Sequence, residues 1–176
     1  MKHRHAVFVA LPILTLAGCS QLESPVAPQR ALTASAPASA NLVSRPWEGR
    51  CQGTGVFRAD GITLDVTGTC KLSHTGLTTV VGVEVITPGA GGFTSTAANT
   101  YTAANGDILY TTGTGVATFH PDFGGITFSF NETVVGGTGR FANATGIVTR
   151  TGSSRFSDPI ALSEITGTLK YAASDR

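Results

Sequence analysis

The sequence predicts an all-β fold, an eight-stranded antiparallel up-and-down barrel, from three observations. Residues after position 44 are rich in glycine and threonine and poor in leucine (24 Thr against six Leu), which disfavours helices and suits short strands. Turn-forming residues recur there at strand-length intervals. The segments between the turns each have one apolar face, and since no helix is predicted to cover it, closure into a barrel is the simplest way to bury that face. A two-sheet sandwich is the structural alternative.

Residues 1–18 have the features of a lipoprotein signal peptide. A basic start, Met1–His5, precedes an apolar run, Ala6–Leu16, that is too short to span a bilayer. The run leads into LAGC at residues 16–19, which resembles the lipobox of bacterial lipoproteins. The resemblance implies cleavage before Cys19 and acylation of its sulfur, and several acyl chains on one residue give stable anchoring. The alternative is an ordinary secretory signal with an incidental cysteine.

Residues 19–44 are expected to connect this anchor to the barrel domain, residues 45–176. The segment after Cys19 is rich in Ala, Ser and Pro without apolar periodicity, which is typical of a flexible linker with a reach of roughly 25–30 Å. Ser20 stands where lipoproteins kept in the inner membrane usually carry Asp. The resemblance therefore favours the cell envelope, and the outer membrane in a cell that has one, with the lipid bilayer as partner.

The first hairpin of the barrel domain is predicted from Asp60-Gly61, a dipeptide that favours a two-residue turn. The turn pairs Phe57 with Leu64 and Cys51 with Cys70 on a face made of apolar or small residues, whereas the opposite face is nearly all polar. The predicted strands, in chain order, cover residues 49–59, 62–74, 77–87, 93–104, 107–120, 125–135, 140–151 and 160–172.

The same register predicts a disulfide between Cys51 and Cys70. With Cys19 lipidated, these are the two remaining cysteines of the chain, and an exported protein enters a compartment that permits disulfides. Residue pairs counted outward from the predicted turn make the two cysteines a hydrogen-bonded pair, with Cα atoms about 5.5 Å apart. The alternatives are two buried thiols or a metal site, but two cysteines without His or acidic neighbours make a poor metal site.

Three further turns predict which aromatic residues face inward. Asn105-Gly106 places Tyr101 opposite Tyr110. Around Gly124-Gly125, the predicted pairs are Phe123 with Ile126, Pro121 with Phe128, and Phe119 with Phe130. A four-residue loop over Gly136–Gly139 pairs Val134 with Phe141, Phe130 with Thr145, and Phe128 with Ile147.

This last register places Glu132 opposite Asn143 on the inner face, and His74 is predicted to point inward near one mouth. A buried carboxylate beside an amide would suit acid–base chemistry, because burial raises the pKa of a carboxyl group. The alternative is that Glu132 and His74 are solvated residues at the rim. The aromatic residues expected around this candidate ligand site are Tyr101, Tyr110, Phe119, Phe128 and Phe130.

The segment VVGGTGRF at residues 134–141, followed by ANATG at 142–146, resembles the turn and strand of dirigent proteins, allene oxide cyclases and related bacterial barrels. Residues 102–107, TAANGD, are similar to a hairpin of the bacterial members. The resemblance implies an eight-stranded antiparallel barrel over residues 47–172. Allene oxide cyclases isomerise an epoxide inside an apolar barrel, whereas dirigent proteins steer radical coupling, and no catalytic residue of either group aligns with this chain.

We therefore expect a non-catalytic envelope lipoprotein whose barrel binds a small apolar ligand or serves as a surface component. The alternative is an isomerase- or cyclase-like enzyme with Glu132 as its acid–base group, and with Asn143 beside it. Charged residues make up 13% of the chain and the net charge is +1, which argues against nucleic acid as a partner. No hydrolase or metal-binding motif is found, so no cofactor or metal is expected.

Overall fold

A computed structural model of the protein describes residues 42–172, which form nine strands and one short 3-10 turn. The predicted signal peptide, Cys19 and most of the predicted linker lie outside the described residues. The strands are β1 (Leu42–Pro46), β2 (Gly49–Phe57), β3 (Thr63–Leu72), β4 (Gly76–Gly89), β5 (Gly92–Thr102), β6 (Ile108–His120), β7 (Gly125–Gly137), β8 (Thr145–Arg155) and β9 (Ala161–Ala172), with the 3-10 turn Gly139–Phe141 between β7 and β8.

Strands β2 to β9 close into an eight-stranded antiparallel barrel. Each pairs with the next along the chain, and β9 pairs with both β8 and β2, so the ring has no open edge. The predicted barrel is confirmed, and the sandwich alternative is wrong because the strands form one continuous sheet. No helix within residues 42–172 is long and apolar enough to cross a membrane.

Strand β1 was not predicted, and its first three residues belong to the predicted linker. It pairs with β9 in the same register as β2 does, with Leu42 opposite Ala172 and Gly49 opposite Ile165. The two strands therefore form one line along β9, interrupted at Trp47 and Glu48. The interruption lets the indole of Trp47 turn inward, where it is fully buried.

The first hairpin has the predicted register, and Cys51 and Cys70 form the predicted disulfide. The loop is wider than expected, because the backbone N–H of Arg58 donates to the carbonyl of Thr63 and closes a four-residue loop. This moves the hydrogen-bonded positions by one residue along the ladder. The cysteines thereby become a close, non-hydrogen-bonded pair with Cα atoms 4.0 Å apart, instead of the wider pair that we expected.

The second hairpin corrects the predicted pairing of Tyr101. Its partner is Leu109 rather than Tyr110, and the phenol of Tyr110 lies on the outer face. A type I′ turn needs positive φ at both central residues, and only Gly106 has it here, at 87°. The side chain of Asn105 instead accepts the backbone N–H of Asp107, which widens the loop by one residue.

The third hairpin is shifted by four residues from the prediction, so that Phe119 pairs with Ile126. Pro121 has no N–H to donate, and the ladder ends at His120, just before it. Because an even shift preserves the inner face, Phe119, Phe128 and Phe130 still point inward, as predicted.

The fourth hairpin is shifted by five residues, and its predicted pairs are wrong. Phe130 pairs with Arg150 rather than Thr145, and Phe128 with Gly152 rather than Ile147. Strand β7 continues to Gly137, and the 3-10 turn takes up residues that we assigned to the next strand. An odd shift exchanges the two faces, so Ile147 is exposed and Arg150 points into the barrel.

One end of the barrel is closed by a packed apolar core. Phe141, carried by the 3-10 turn, is fully buried there, and its ring centroid lies 5.2 Å from that of Tyr171. The ring of Trp47 packs at the same distance, 5.2 Å, against Tyr101. Other core residues at this end include Leu72, Val80, Leu109, Val134, Val148 and Leu169. The GGTGRF motif therefore supplies the plug of this closed end.

Candidate functional site

The opposite half of the barrel is open and contains a cavity of about 690 Å³. Its lining is mostly apolar, and Tyr101 belongs both to this lining and to the closed core, so it marks the bottom of the cavity. The apolar walls include Phe57, Leu64, Val66, Ile86, Phe93, Phe119, Ile126, Phe128, Phe130 and Phe156. The deep end carries the polar groups Glu84, Asn99, Tyr101 and Arg150.

Inward-facing glycines make room for the aromatic walls. A Cβ at Gly115 would lie 2.5 Å from the ring of Phe130, its neighbour on β7. A Cβ at Gly152 would meet the ring of Phe128 at the same distance. Both rings thus lie flat over a glycine on the adjacent strand, which leaves the centre of the barrel free.

A buried ionic cluster of Glu84, Arg150 and Glu132 crosses the barrel below the cavity. Arg150 donates from Nε to Glu132 Oε1 at 2.9 Å and from Nη2 to Glu84 Oε1 at 2.8 Å. The side chains of Arg150, Glu132 and Glu84 are 12%, 0% and 7% exposed, respectively. The guanidinium also lies 4.3 Å from the ring centroid of Phe130, so an apolar ring screens it from solvent.

Two hydroxyl groups complete the surroundings of Glu132. Thr111 donates to Oε2 at 2.7 Å, and Tyr101 donates to the same oxygen at 3.3 Å. Burial, together with the charge of Glu132, raises the pKa of the Tyr101 phenol well above its ordinary value. Burial alone would lower the pKa of Arg150, but the charge of Glu132, reinforced by Tyr101 and Glu84, raises it, so the guanidinium is always charged.

Asn99 is a buried polar side chain whose amide nitrogen has no partner. It is 4% exposed, it lines the cavity, and its Nδ2 makes no hydrogen bond within the part of the chain that the structure describes. Buried amide groups are nearly always hydrogen-bonded in folded proteins. This unused donor is enclosed in the wall beside the charged end of the cavity and is not accessible to water.

The structure brings together five of the residues that the sequence predicted for the site. Glu132 and Tyr101 are joined by a hydrogen bond at its base, and Phe119, Phe128 and Phe130 line the cavity wall. The alternative that Glu132 is a solvated rim residue is wrong, since it is 1% exposed. Whether any of these residues binds a ligand stays a prediction.

Three predicted positions lie away from the cavity. Asn143 is exposed in the connection before β8 and does not face Glu132, because of the five-residue shift described above. Tyr110 is 39% exposed on the outer face. His74 lies in the β3–β4 turn at the closed end, half-buried against Tyr171, with φ of 64°. Its carbonyl accepts a hydrogen bond from Arg140 at 2.6 Å.

Sequence reasoning missed Glu84, Asn99 and Arg150. Glu84 shares the inner face of β4 with Val80 and Ile86, so alternation along this strand was a usable signal. It was weak because Val81 and Val85 make the outer face apolar as well. Arg150 had no such signal, since its direction depends on the register of β7 with β8.

The fold and the site define a small closed β-barrel with an apolar, one-ended cavity and a charged base. Comparisons with protein-family models, with curated proteins and with solved structures found nothing similar to this chain. Within residues 42–172 there is also no group of three or more His, Cys, Asp or Glu side chains arranged to hold a metal ion.

Proposed function

We propose that this protein is a binding protein of the bacterial cell envelope that holds one small apolar molecule in the open half of its barrel. The observation that carries the proposal is the cavity of about 690 Å³. Ligand sites typically measure about 300–1,000 Å³ and combine apolar walls with a few polar groups. An eight-stranded barrel can instead be filled by its own side chains, as the closed half of this one is.

The polar groups at the base favour binding over catalysis by Glu132. Both of its oxygens accept hydrogen bonds, Oε1 from Arg150 and Oε2 from Thr111 and Tyr101. A general acid or base must reach the reacting atom, and this carboxylate lies behind the residues that line the cavity. The isomerase- or cyclase-like alternative therefore finds less support than a binding role.

The resemblance of residues 134–146 to dirigent proteins and allene oxide cyclases is consistent with an apolar ligand. In this chain, that motif contributes Phe141 to the closed end and no residue to the cavity lining. The resemblance therefore supports an apolar ligand and assigns no role to any single residue of this chain.

Anchoring through an acylated Cys19 is the second part of the proposal, and it depends on the sequence of residues 1–19. Leu42, where the described chain begins, pairs with Ala172 at the closed end of the barrel. Palmitate labelling of cells should mark the wild-type chain and not a Cys19→Ser variant, and labelling of both would contradict the lipoprotein assignment.

The binding proposal is tested with Nile red, a neutral apolar dye whose fluorescence increases out of water. We expect saturable one-to-one binding to the mature chain carrying Cys19→Ser, which needs no detergent. Val66→Trp fills the cavity from β3 and should weaken binding by about tenfold or more. Val81→Trp is the matched control, because Val81 is 60% exposed on the outer face of the neighbouring strand.

Binding that is absent, or that is equally strong in Val66→Trp and wild type, would contradict the proposal. Circular dichroism should show that both tryptophan variants keep the β-sheet spectrum. The catalytic alternative is tested by Glu132→Gln, which keeps the shape of the side chain. A binding protein should retain the dye, whereas an enzyme that uses Glu132 would lose turnover.

A further inference from the structure

The base of the cavity carries more negative than positive charge. Glu84 and Glu132 contribute two carboxylates, and Arg150 alone lies between them. The other charged residues in the cavity lining, Arg155 and Asp158, are of opposite sign and exposed at the rim, where water screens them. A buried charge without a partner is unfavourable. The site therefore favours a ligand that brings positive charge to its deep end.

Glu84 is the carboxylate that such a ligand would meet. It lines the cavity, whereas Glu132 does not. Among residues 42–172, the hydrogen bond to Glu84 involves Oε1 alone, and Oε2 is left for a ligand. Arg150 offers no equivalent site for an anion, because it is neutralised by the two carboxylates that it already binds. A fatty acid carboxylate at this depth would meet Glu84 with like charge.

We infer that the ligand is an amphipathic amine with an apolar chain. Its ammonium group donates to Glu84, and its apolar chain lies along the phenylalanine wall toward the mouth. The inference rests on the proposed binding function and names the ligand class for the same cavity.

Displacement of Nile red from the mature chain carrying Cys19→Ser tests the inference with three ten-carbon probes. These are 2-aminodecan-1-ol, decane-1,2-diol and decanoate, which share a similar chain and differ at the head group. We expect the amino alcohol to bind about tenfold or more tightly than either of the others, because a hydrogen bond to a charged group is stronger than one between neutral groups.

One variant assigns the preference to its residue. Glu84→Gln keeps the acceptor for Arg150 and removes the charge, so the amino alcohol and the diol should bind equally. Glu164→Gln is the control, since Glu164 is an outward glutamate with its side chain 59% exposed.

The possible results separate the inference from the function on which it rests. Nile red binding without a preference for the amine, or with a preference for decanoate, overturns the inference and leaves the binding function supported. A preference for the amine that persists in Glu84→Gln also overturns it. If Nile red does not bind to the wild type at all, the proposed function fails first.

Discussion

Arg150 on β8 and Glu84 on β4 are joined across the full width of the barrel by a hydrogen bond of 2.8 Å between Nη2 and Oε1. The two strands are four apart in a ring of eight, so they stand on opposite walls. Arg150 simultaneously binds Glu132 on its neighbour β7. The ionic cluster therefore divides the interior into a packed half and an open half.

Removal of the central cation should be strongly destabilising. Arg150→Met leaves two buried carboxylates without a positive charge beside them, and we expect it to lower the free energy of unfolding by about 3–5 kcal/mol in urea at neutral pH. A triple variant that adds Glu84→Gln and Glu132→Gln should recover most of the stability. A single variant as stable as wild type would contradict the structural role of the cluster.

The disulfide between Cys51 and Cys70 should stabilise the barrel by constraining the unfolded chain. The cysteines are 19 residues apart, and a loop of this size corresponds to about 3 kcal/mol. We expect Cys51→Ser/Cys70→Ser to unfold at correspondingly lower urea concentration. Dithiothreitol should lower the stability of the wild type and leave the double variant unchanged. An equal response of the two proteins to the reductant would be evidence against the bridge.

Tyr101 should make the protein sensitive to alkaline pH. Its folded-state pKa is raised above the ordinary tyrosine value of 10.0, chiefly by burial and by the charge of Glu132. The stabilising contribution of the neutral phenol is complete below pH 10 and is lost as the pH rises further, because the unfolded state then gives up a proton that the folded state keeps. Unfolding in urea between pH 9 and pH 11 should show a shallower decline for Tyr101→Phe. Identical declines for both proteins would contradict a raised pKa of Tyr101 in the folded state.

Asp60 should stabilise the first hairpin, and this stabilisation should be lost in acid. Its pKa is lowered, first by the hydroxyl of Thr63 and then by the backbone N–H groups of Thr63 and Ile62. A depressed carboxyl pKa stabilises the fold above about pH 3.8, and the contribution disappears as the pH falls through the folded-state value. The melting temperature should therefore fall less between pH 6 and pH 3 in Asp60→Ala than in wild type. Asp60→Asn, which keeps an acceptor without the charge, should show the same reduced dependence.

The barrel was predictable because side-chain alternation and turn residues agree along most of the chain. The β2–β3 register was correct even though the loop was not, since two-residue and four-residue loops around Asp60-Gly61 pair the same residues. The β6–β7 register was wrong by an even number, so the phenylalanine wall was still assigned to the interior. The predictions of the fold class and of most of the cavity wall therefore stay correct even where the predicted loop length is wrong.

The charged base of the cavity was not predictable in the same way. The predicted β7–β8 register was wrong by an odd number of residues. The prediction therefore put Arg150 on the wrong face and placed Asn143 beside Glu132. Loop length there is set by the 3-10 turn, which forms because Phe141 packs into the closed end, a tertiary effect. The break at Trp47 has the same origin, because the indole is drawn into a core made by distant strands.

The central claim, that the open half of the barrel holds one small apolar molecule, is tested most directly by crystallography with 1-bromodecane. The bromine is located by its anomalous scattering, independently of any assumption about the ligand. We predict a bromine peak inside the cavity, between Phe93 and Phe128 on its walls. A barrel whose side chains close over this space, with bromine only on the outer surface, would contradict the account.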